Sequence, residues 1–572
     1  LALTVLATPR SPGQQEAPSA PAPLADQLVT ALEQFGITTY FGVPGGAIEP
    51  LFNALARRQA AGQVRVVPMR SEAGAGFAAD GYFRATGRMA ACTCTTGPGI
   101  ANLMTSIMSA AADRIPILVL TPQVALRKQG RGALQDSSED GHDLVRMLAG
   151  CTRYSSAVTH PEQLAHKVSR AIATALSAPM GPVHLSIPSD LLAASSSSSI
   201  MRLAPGLPRI EPVDTGAVAA LLRDLFGATV PVLYVGDDAG LGAYRLPDLA
   251  QALGASIVSS PAGKRWIGHL DPAYKGVLGF SGHAAAAEAV HRADLVVAFG
   301  ATFDELSTNA WSVFPEVPIY SVDRHALHTH RLPGLRPVIA DGTHVIAAIL
   351  ERLPYAEEEE ERTRRYLLPT VLAGASDATV HPADLMKWLS QSLPPDVVVH
   401  VDAGNSFSWS TRHLLRPRAD TYRVSMGLSA MCWGISAVIG ETVARGRRTL
   451  CITGDGSMLM SGLELTVAVE HKLPVTYIIL NDSSLGMVRH GQRLAGAESI
   501  AHEIAPVRFD RVAEACGARG MRVERLGDLA QVPSAWIDDD RGGPCVIDVR
   551  IDRDAVPPIG DRVQGLAVGI SR

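Results

Sequence analysis

The stretch Thr449-Leu450-Cys451-Ile452-Thr453-Gly454-Asp455-Gly456-Ser457, continued to Asn481-Asp482-Ser483-Ser484, decides how the chain is read. Residues 449–453 are a short apolar run stopped by glycine, and 475–480 are a second, which is the pattern of two buried strands. Between them Ser461-Gly462-Leu463-Glu464 has the form of a helix capping box, and Pro474 closes the helix it predicts. Such a crossover makes the two strands parallel, so Asp455 and Asp482 both fall at carboxyl ends, where open α/β sheets bind ligands. Gly454 and Gly456 let backbone N–H groups approach a phosphate, and an acid at each end suits an octahedral Mg2+ that bridges protein and phosphate oxygens. The plainer reading is an ordinary turn with an acidic tip.

Outward from this unit the same alternation of short apolar runs and helical patterns recurs, and the fold class it predicts is α/β, with three open parallel-sheet domains. A Pro/Ala-rich tail, expected to be disordered, covers 1–23, and the first domain 24–192. It starts with helix 24–36, strand 38–41 and the turn Gly42-Val43-Pro44-Gly45-Gly46-Ala47. The serine run Ser195–Ser199 and three prolines mark a linker at 193–212 before a second domain at 213–353, with strands at 230–235, 256–259, 295–299 and 319–322. A charged linker covers 354–379, the third domain 380–553, and a terminal segment 554–572.

Fifty-one Lys and Arg stand against 56 Asp and Glu, a formal charge of −5, so nothing steers the chain towards nucleic acid or an anionic membrane. No apolar run reaches the roughly 18 to 20 residues that cross a bilayer. Seven cysteines without metal-site spacing argue for a reducing compartment, hence the cytoplasm, and Cys92 and Cys94 read as buried apolar residues. Leu1–Ala7 lacks the basic flank of a signal peptide.

Several stretches carry a family resemblance. Phe41-Gly42-Val43-Pro44-Gly45-Gly46-Ala47, Arg70-Ser71-Glu72, Gly97-Pro98-Gly99-Ile100-Ala101-Asn102, Gln123-Val124, and Gly454-Asp455-Gly456 with Asn481-Asp482 resemble the thiamine diphosphate (ThDP) enzymes, above all their acetolactate synthase (acetohydroxyacid synthase) branch. Ser71 stands where that branch has histidine, and Asp482 where asparagine is usual. The resemblance runs in order through residues 24–553 and implies a pyrimidine-binding domain, a central Rossmann-like domain and a diphosphate-binding domain. It assigns Asp455, Asp482 and the Ser484 carbonyl to Mg2+, and Gly404, Asn405, Ser406, Gly454, Gly456 and Ser457 to the cofactor's diphosphate. Met431 would wedge the cofactor into its bent shape, with Met487 a further contact. Glu72 would be the carboxylate that, hydrogen-bonded to the aminopyrimidine ring, promotes loss of the C2 proton; by itself it is a helix-start acid favoured by the macrodipole. Gln123 and Gln135 would orient substrate, and Gly45 and Gly46 would allow close backbone approach.

The function this resemblance implies is that of a ThDP- and Mg2+-dependent carboligase. A 2-oxo acid, pyruvate before others, loses CO2, and the resulting enamine attacks a second carbonyl compound. The alternatives are a ThDP-dependent 2-oxo acid decarboxylase or a sulfoacetaldehyde acetyltransferase-like enzyme, a dinucleotide-dependent oxidoreductase, and a non-catalytic ThDP-fold regulatory protein. In the family the middle domain holds FAD, but the corresponding Leu278-Gly279-Phe280-Ser281-Gly282-His283 and Gly300-Ala301-Thr302-Phe303-Asp304-Glu305-Leu306 lack both arginines, which disfavours FAD. The expected partners are small 2-oxo acids and further copies of the chain, as a homodimer or homotetramer, with the small residues Ala73–Ala79 pressed against another chain; a regulatory subunit is left open. Gly491 stands where the branch has tryptophan and Leu134 where it has phenylalanine, so a wide acceptor range is expected, with Arg489 and His490 facing either that space or solvent.

Overall fold

The computed structural model describes residues 22–196, 213–353 and 378–559. Three six-stranded sheets result, with every pairing inside them parallel. The first runs Arg65–Pro68, Thr39–Gly42, Ala91–Thr93, Leu118–Gln123, Val183–Pro188, Tyr154–Ala157. The third runs Tyr422–Arg423, Val398–Val401, Thr449–Gly454, Val475–Asn481, Cys545–Arg550, Arg519–Val523. Numbered along each domain, both have the order 2-1-3-4-6-5, whereas the middle sheet has the dinucleotide-fold order 3-2-1-4-5-6.

The strands expected from apolar runs are present within a residue or so of their predicted ends. Two strands of the middle sheet escaped the reading, Tyr274–Val277 and Leu335–Ile339. Both are edge strands, only partly buried, so neither carries a continuous apolar run. The first domain also begins earlier than expected, because Ala22–Pro23 pairs antiparallel with Ser195–Ser196 and ties the start of the domain to its end. The rest of the tail, residues 197–212 of the linker expected at 193–212, residues 354–377 of that expected at 354–379, and residues 560–572 of the terminal segment lie outside the described residues.

The capping box does not form. A helix starts directly at Asp455 and ends at Ser461, a 3-10 turn covers Gly462–Glu464, and a second helix spans Leu465–Glu470. Ser461 makes no capping bond, and the Glu464 side chain reaches into the first domain instead, where it accepts from the backbone of Arg70 and Ser71.

One apolar core runs through the first and third domains. It passes from Phe41, Cys92 and Val119 through Ala75, Ala78 and Ala79 to Ile435, Val438 and Ile439, and on to Cys451, Tyr477 and Val546. Helices Glu72–Thr86 and Trp433–Arg445 form its centre. A Cβ on Gly81 would stand 1.9 Å from the Ala437 carbonyl oxygen, and one on Gly440 would stand 1.8 Å from that of Ala78. The small residues expected to meet another chain are therefore occupied by this chain's own third domain.

Arg84 fastens the same seam. Its side chain is 1% exposed and donates to Asp80 at 2.5 Å, to Asp113 at 2.7 Å and to the Val424 carbonyl at 3.2 Å, with Asp237 of the middle domain at 3.8 Å. Its guanidinium lies 5.1 Å from the centre of the Trp433 ring. Among the described residues no helix is long and apolar enough to cross a membrane.

Overpacking a close contact costs about 1–3 kcal/mol, and here the obstacle is backbone. Gly440→Val is expected to lose at least that much stability in urea unfolding, while Gly150→Ala, at an exposed position with open space around it, stays within about 0.5 kcal/mol of the parent.

Candidate active site

In the third sheet the strand order reverses between Val398–Val401 and Thr449–Gly454, which is where open α/β sheets receive ligands. The segments leaving these strands carry most of the predicted residues. Asp402, fully buried, accepts from the N–H of Cys432 and of Gly434, both at 3.1 Å, and from the Thr453 hydroxyl at 2.9 Å. It thereby fixes the start of helix Trp433–Arg445, with Cys432 in a left-handed conformation (φ 74°). Gly404, at φ 95°, turns the chain into helix Asn405–His413, whose first residue is Asn405. That helix start is electropositive, as a diphosphate requires. Ser406 is buried and its hydroxyl donates to the carbonyls of Asp402 and Ala403.

Asp455 follows the next strand and is 3% exposed. Its carboxylate accepts from the N–H of Gly456 at 2.8 Å and of Ser483 at 2.7 Å, which ties the ends of strands Thr449–Gly454 and Val475–Asn481 together. Ser483 is left-handed (φ 56°), and Arg550 holds it by donating to its hydroxyl at 2.8 Å and to Asn481 at 2.5 Å. The turn leaves Asp482 and Ser484 buried. Burial pushes the Asp455 carboxyl up to about 6; burial and the Asp455 charge push Asp482 up to about 7. A Cβ on Gly486 would meet Asn405 Nδ2 at 2.5 Å and Asp482 Oδ2 at 2.8 Å, so those side chains converge beside it. Met431 Cε lies 3.5 Å from where a Gly456 Cβ would be, and open space borders Gly454. Ser457 is buried beneath, and Met487 packs against the neighbouring apolar cluster.

This set fits a cation and a diphosphate. Neither buried carboxylate has an ion pair among the described residues, the more distant charges of Arg550, Arg553 and Arg489 do not offset their burial, and the buried Asn405 Oδ1 has no hydrogen-bond partner.

The first-domain residues form a separate group. Glu72 is the first residue of its helix, and its Oε2 accepts from Asn102 Nδ2 at 3.2 Å. Gly45 closes on Thr95, while open space surrounds Gly46. The Gln123 amide oxygen is engaged by the N–H of Val124 (2.9 Å) and of Ser137 (3.1 Å) and so holds the loop after its strand. Gln135 is left-handed (φ 59°), and its carbonyl accepts from Thr96. Among the described residues no hydrogen bond or ion pair joins Glu72, Gln123 or Gly46 to the third-domain set.

Arg489 and His490 are not a solvent-facing pair. Arg489 is ion-paired to Asp554 at 2.6 Å and donates to the Arg553 carbonyl, and His490 is 2% exposed. Gly491 has nothing within 4 Å of its Cβ position, and Leu134 is 87% exposed, so neither replaced aromatic is compensated by another side chain.

The middle domain has the dinucleotide strand order, but its switch point is bridged by the backbone and its crevice is acid-lined. At its switch point Asp238 N–H donates to the Gly300 carbonyl at 3.2 Å, and a 3-10 turn follows where an α-helix would start. The guanidinium groups beside it are already engaged: Arg324 pairs with Asp238 at 3.3 Å, Arg114 of the first domain lies 3.5 Å from Asp238 and contacts His328, and Arg331 donates to the Thr302 carbonyl. The cavity beside them, about 360 Å³, is lined by Asp237, Asp304 and Glu305 as well as Arg114 and Arg331. This lining does not fit a flavin dinucleotide, whose diphosphate needs free cations or backbone N–H groups.

Sequence reasoning missed three residues around the site. Asp402 ends a strand as Asp455 nearly does, and the same argument would have found it. Nothing local marked Asn102 as the partner of Glu72, or Glu464 as the acceptor for Ser71.

The family models agree with the three sheets. The thiamine pyrophosphate enzyme N-terminal TPP binding domain matches residues 23–144, the central domain 218–349 and the C-terminal TPP binding domain 402–549. The acetolactate synthase isozyme 2 large subunit of Escherichia coli (strain K12) is 32% identical over 546 residues, covering 92% of this chain and 95% of that protein. The acetolactate synthase of Arthrospira platensis is 29% identical over 557 residues, covering 92% and 94%. With three domains matched in order and a third of its residues shared with a relative over nearly its whole length, the chain belongs to the thiamine pyrophosphate enzymes and is an acetolactate synthase-like, ThDP-dependent enzyme.

Proposed function

We propose that the chain decarboxylates a small 2-oxo acid, pyruvate in the first place, and joins the two-carbon unit to a second carbonyl compound. One observation carries this reading: Asp455 and Asp482, buried and with no ion pair among the described residues, lie at neighbouring strand ends, with Asn405 and Met431 close by. Thiamine diphosphate, when bound, supplies the electron sink for decarboxylation and carbon–carbon bond formation. Asp455, Asp482 and Ser484 hold Mg2+, and Gly404, Asn405, Gly454, Gly456 and Ser457 receive the diphosphate. Asp455→Ala is expected to abolish measurable ThDP binding in calorimetry while the far-ultraviolet circular dichroism stays unchanged; normal binding would place the site elsewhere.

Glu72 holds a proton on behalf of the aminopyrimidine ring. Asn102 engages one of its oxygens and leaves Oε1 for the ring nitrogen. The working unit is at least a homodimer in which Glu72 of one copy faces Asp455 of another, the arrangement that the resemblance to the family implies. Co-expression of Glu72→Gln chains with Asp455→Ala chains therefore restores activity that neither has alone, since one site of the mixed dimer is intact; no restoration would refute the shared site. Seven free cysteines fit a reducing compartment, the cytoplasm.

The open space at Gly491 and the exposed Leu134 support a broad acceptor range. An aromatic side chain buries about 150–250 Å², so Gly491→Trp fills space that the parent leaves to the acceptor. Product analysis with pyruvate against a panel of aldehydes and 2-oxo acids is expected to show new carbon–carbon bonds with bulky acceptors. The Gly491→Trp variant loses the bulky ones first. Release of CO2 without any coupled product would favour the decarboxylase instead. The acidic lining of the middle-domain crevice favours an enzyme that works without FAD.

A further inference from the structure

Ser71 and Glu464 have no part in the reading above, yet they adjoin Glu72. Glu464 comes from the third domain and is 1% exposed. Its Oε1 accepts from the Ser71 N–H at 2.8 Å and the Ser71 hydroxyl at 2.7 Å, and its Oε2 accepts from the Arg70 N–H at 3.1 Å. The Ser71 hydroxyl in turn accepts from the Gly74 N–H at 3.0 Å and so caps helix Glu72–Thr86. The carboxylate presses on the first turn of that helix, since a Cβ on Gly74 would lie 2.3 Å from Glu464 Oε1. The two residues before Glu72 and the turn after it are thus held by one carboxylate from another domain. That carboxylate ends the segment which Asp455 begins, through helix Asp455–Ser461 and the turn Gly462–Glu464.

We propose that Glu464, acting through Ser71, is a positioning residue that aims Glu72 at its proton. The inference rests on Glu72 being the relay. The chemistry is specific to a carboxylate, because all three groups it meets are donors. A glutamine offers one oxygen and an NH2 group, and the NH2 would oppose an N–H. Ser71→Ala removes the cap and the hydroxyl's bond to Glu464 while the two backbone N–H bonds to that carboxylate remain, and Ser71→Thr keeps the hydroxyl on an extended backbone (φ −140°, ψ 154°) that a β-branched residue adopts readily.

The test is the rate of hydrogen–deuterium exchange at C2 of ThDP bound to the full-length protein, with ThDP affinity measured by calorimetry. Glu72→Gln serves as the reference and is expected to slow exchange by about 10²- to 10⁴-fold. Ser71→Ala and Glu464→Gln are expected to slow it by about 10- to 100-fold, the effect of a small misplacement of a catalytic group, with ThDP affinity unchanged. Ser71→Thr should return the rate to that of the parent. Should Glu464→Gln fail to fold, the two Ser71 variants decide the matter alone. Parent-like exchange in Ser71→Ala, or no rescue in Ser71→Thr, overturns the positioning role while leaving the relay intact. Parent-like exchange in Glu72→Gln overturns the relay, and the positioning role with it.

Discussion

The backbone contact of Gly81 and Gly440 with the facing helix governs the molecule. Two helices that touch through carbonyl oxygens leave no room for side chains between them, so the first and third domains share one core rather than each closing its own. Dispersion is summed over every atom pair in such a contact, and it falls away steeply when a single methyl group pries the surfaces apart. Everything downstream inherits this spacing. The starts of helices Glu72–Thr86 and Trp433–Arg445 are set by it, and the Glu72 carboxylate and the Asp402 clamp lie at those starts.

Charge bookkeeping within the chain separates the candidate cation site from the carboxylates around Arg84 and Asp238. Asp80, Asp113 and Asp237 surround Arg84, and Asp238 is met by Arg114 and Arg324. These acids are neutralised from inside. Asp455 and Asp482 are as deeply buried, but what they accept comes from backbone N–H groups, and their carboxyls are raised accordingly. A pair of buried acids is costly unless a cation joins them, which is why this pair reads as a binding site and the others as struts.

The strands could be read from the sequence because parallel strands buried on both faces appear as continuous apolar runs; Thr449–Gly454 and Val475–Asn481 are examples. The edge strands Tyr274–Val277 and Leu335–Ile339 lack that signature and stayed hidden. At the site, Asp455, Asp482, Asn405 and Glu72 were legible because glycine turns and acids at strand or helix ends are local features. Their partners were not. Ser461 and Glu464 have the spacing of a capping box, yet the acid reaches a helix nearly four hundred residues away in sequence, with a separation of 393 from Ser71. Composition correctly marked Ala73–Ala79 as a contact face but carries no information about which surface it meets, and the answer was the same chain.

Arg84 bears on how such a chain can be altered by recombination. Its partners Asp80 and Asp113 belong to the first domain, Val424 and Trp433 to the third, and Asp237 to the middle one. A crossover placed in either linker, exchanging one domain for that of a relative, brings in a foreign seat for a cation that has no access to water. The tolerated exchanges in this chain are therefore those in which the occupants of that seat are replaced as one block.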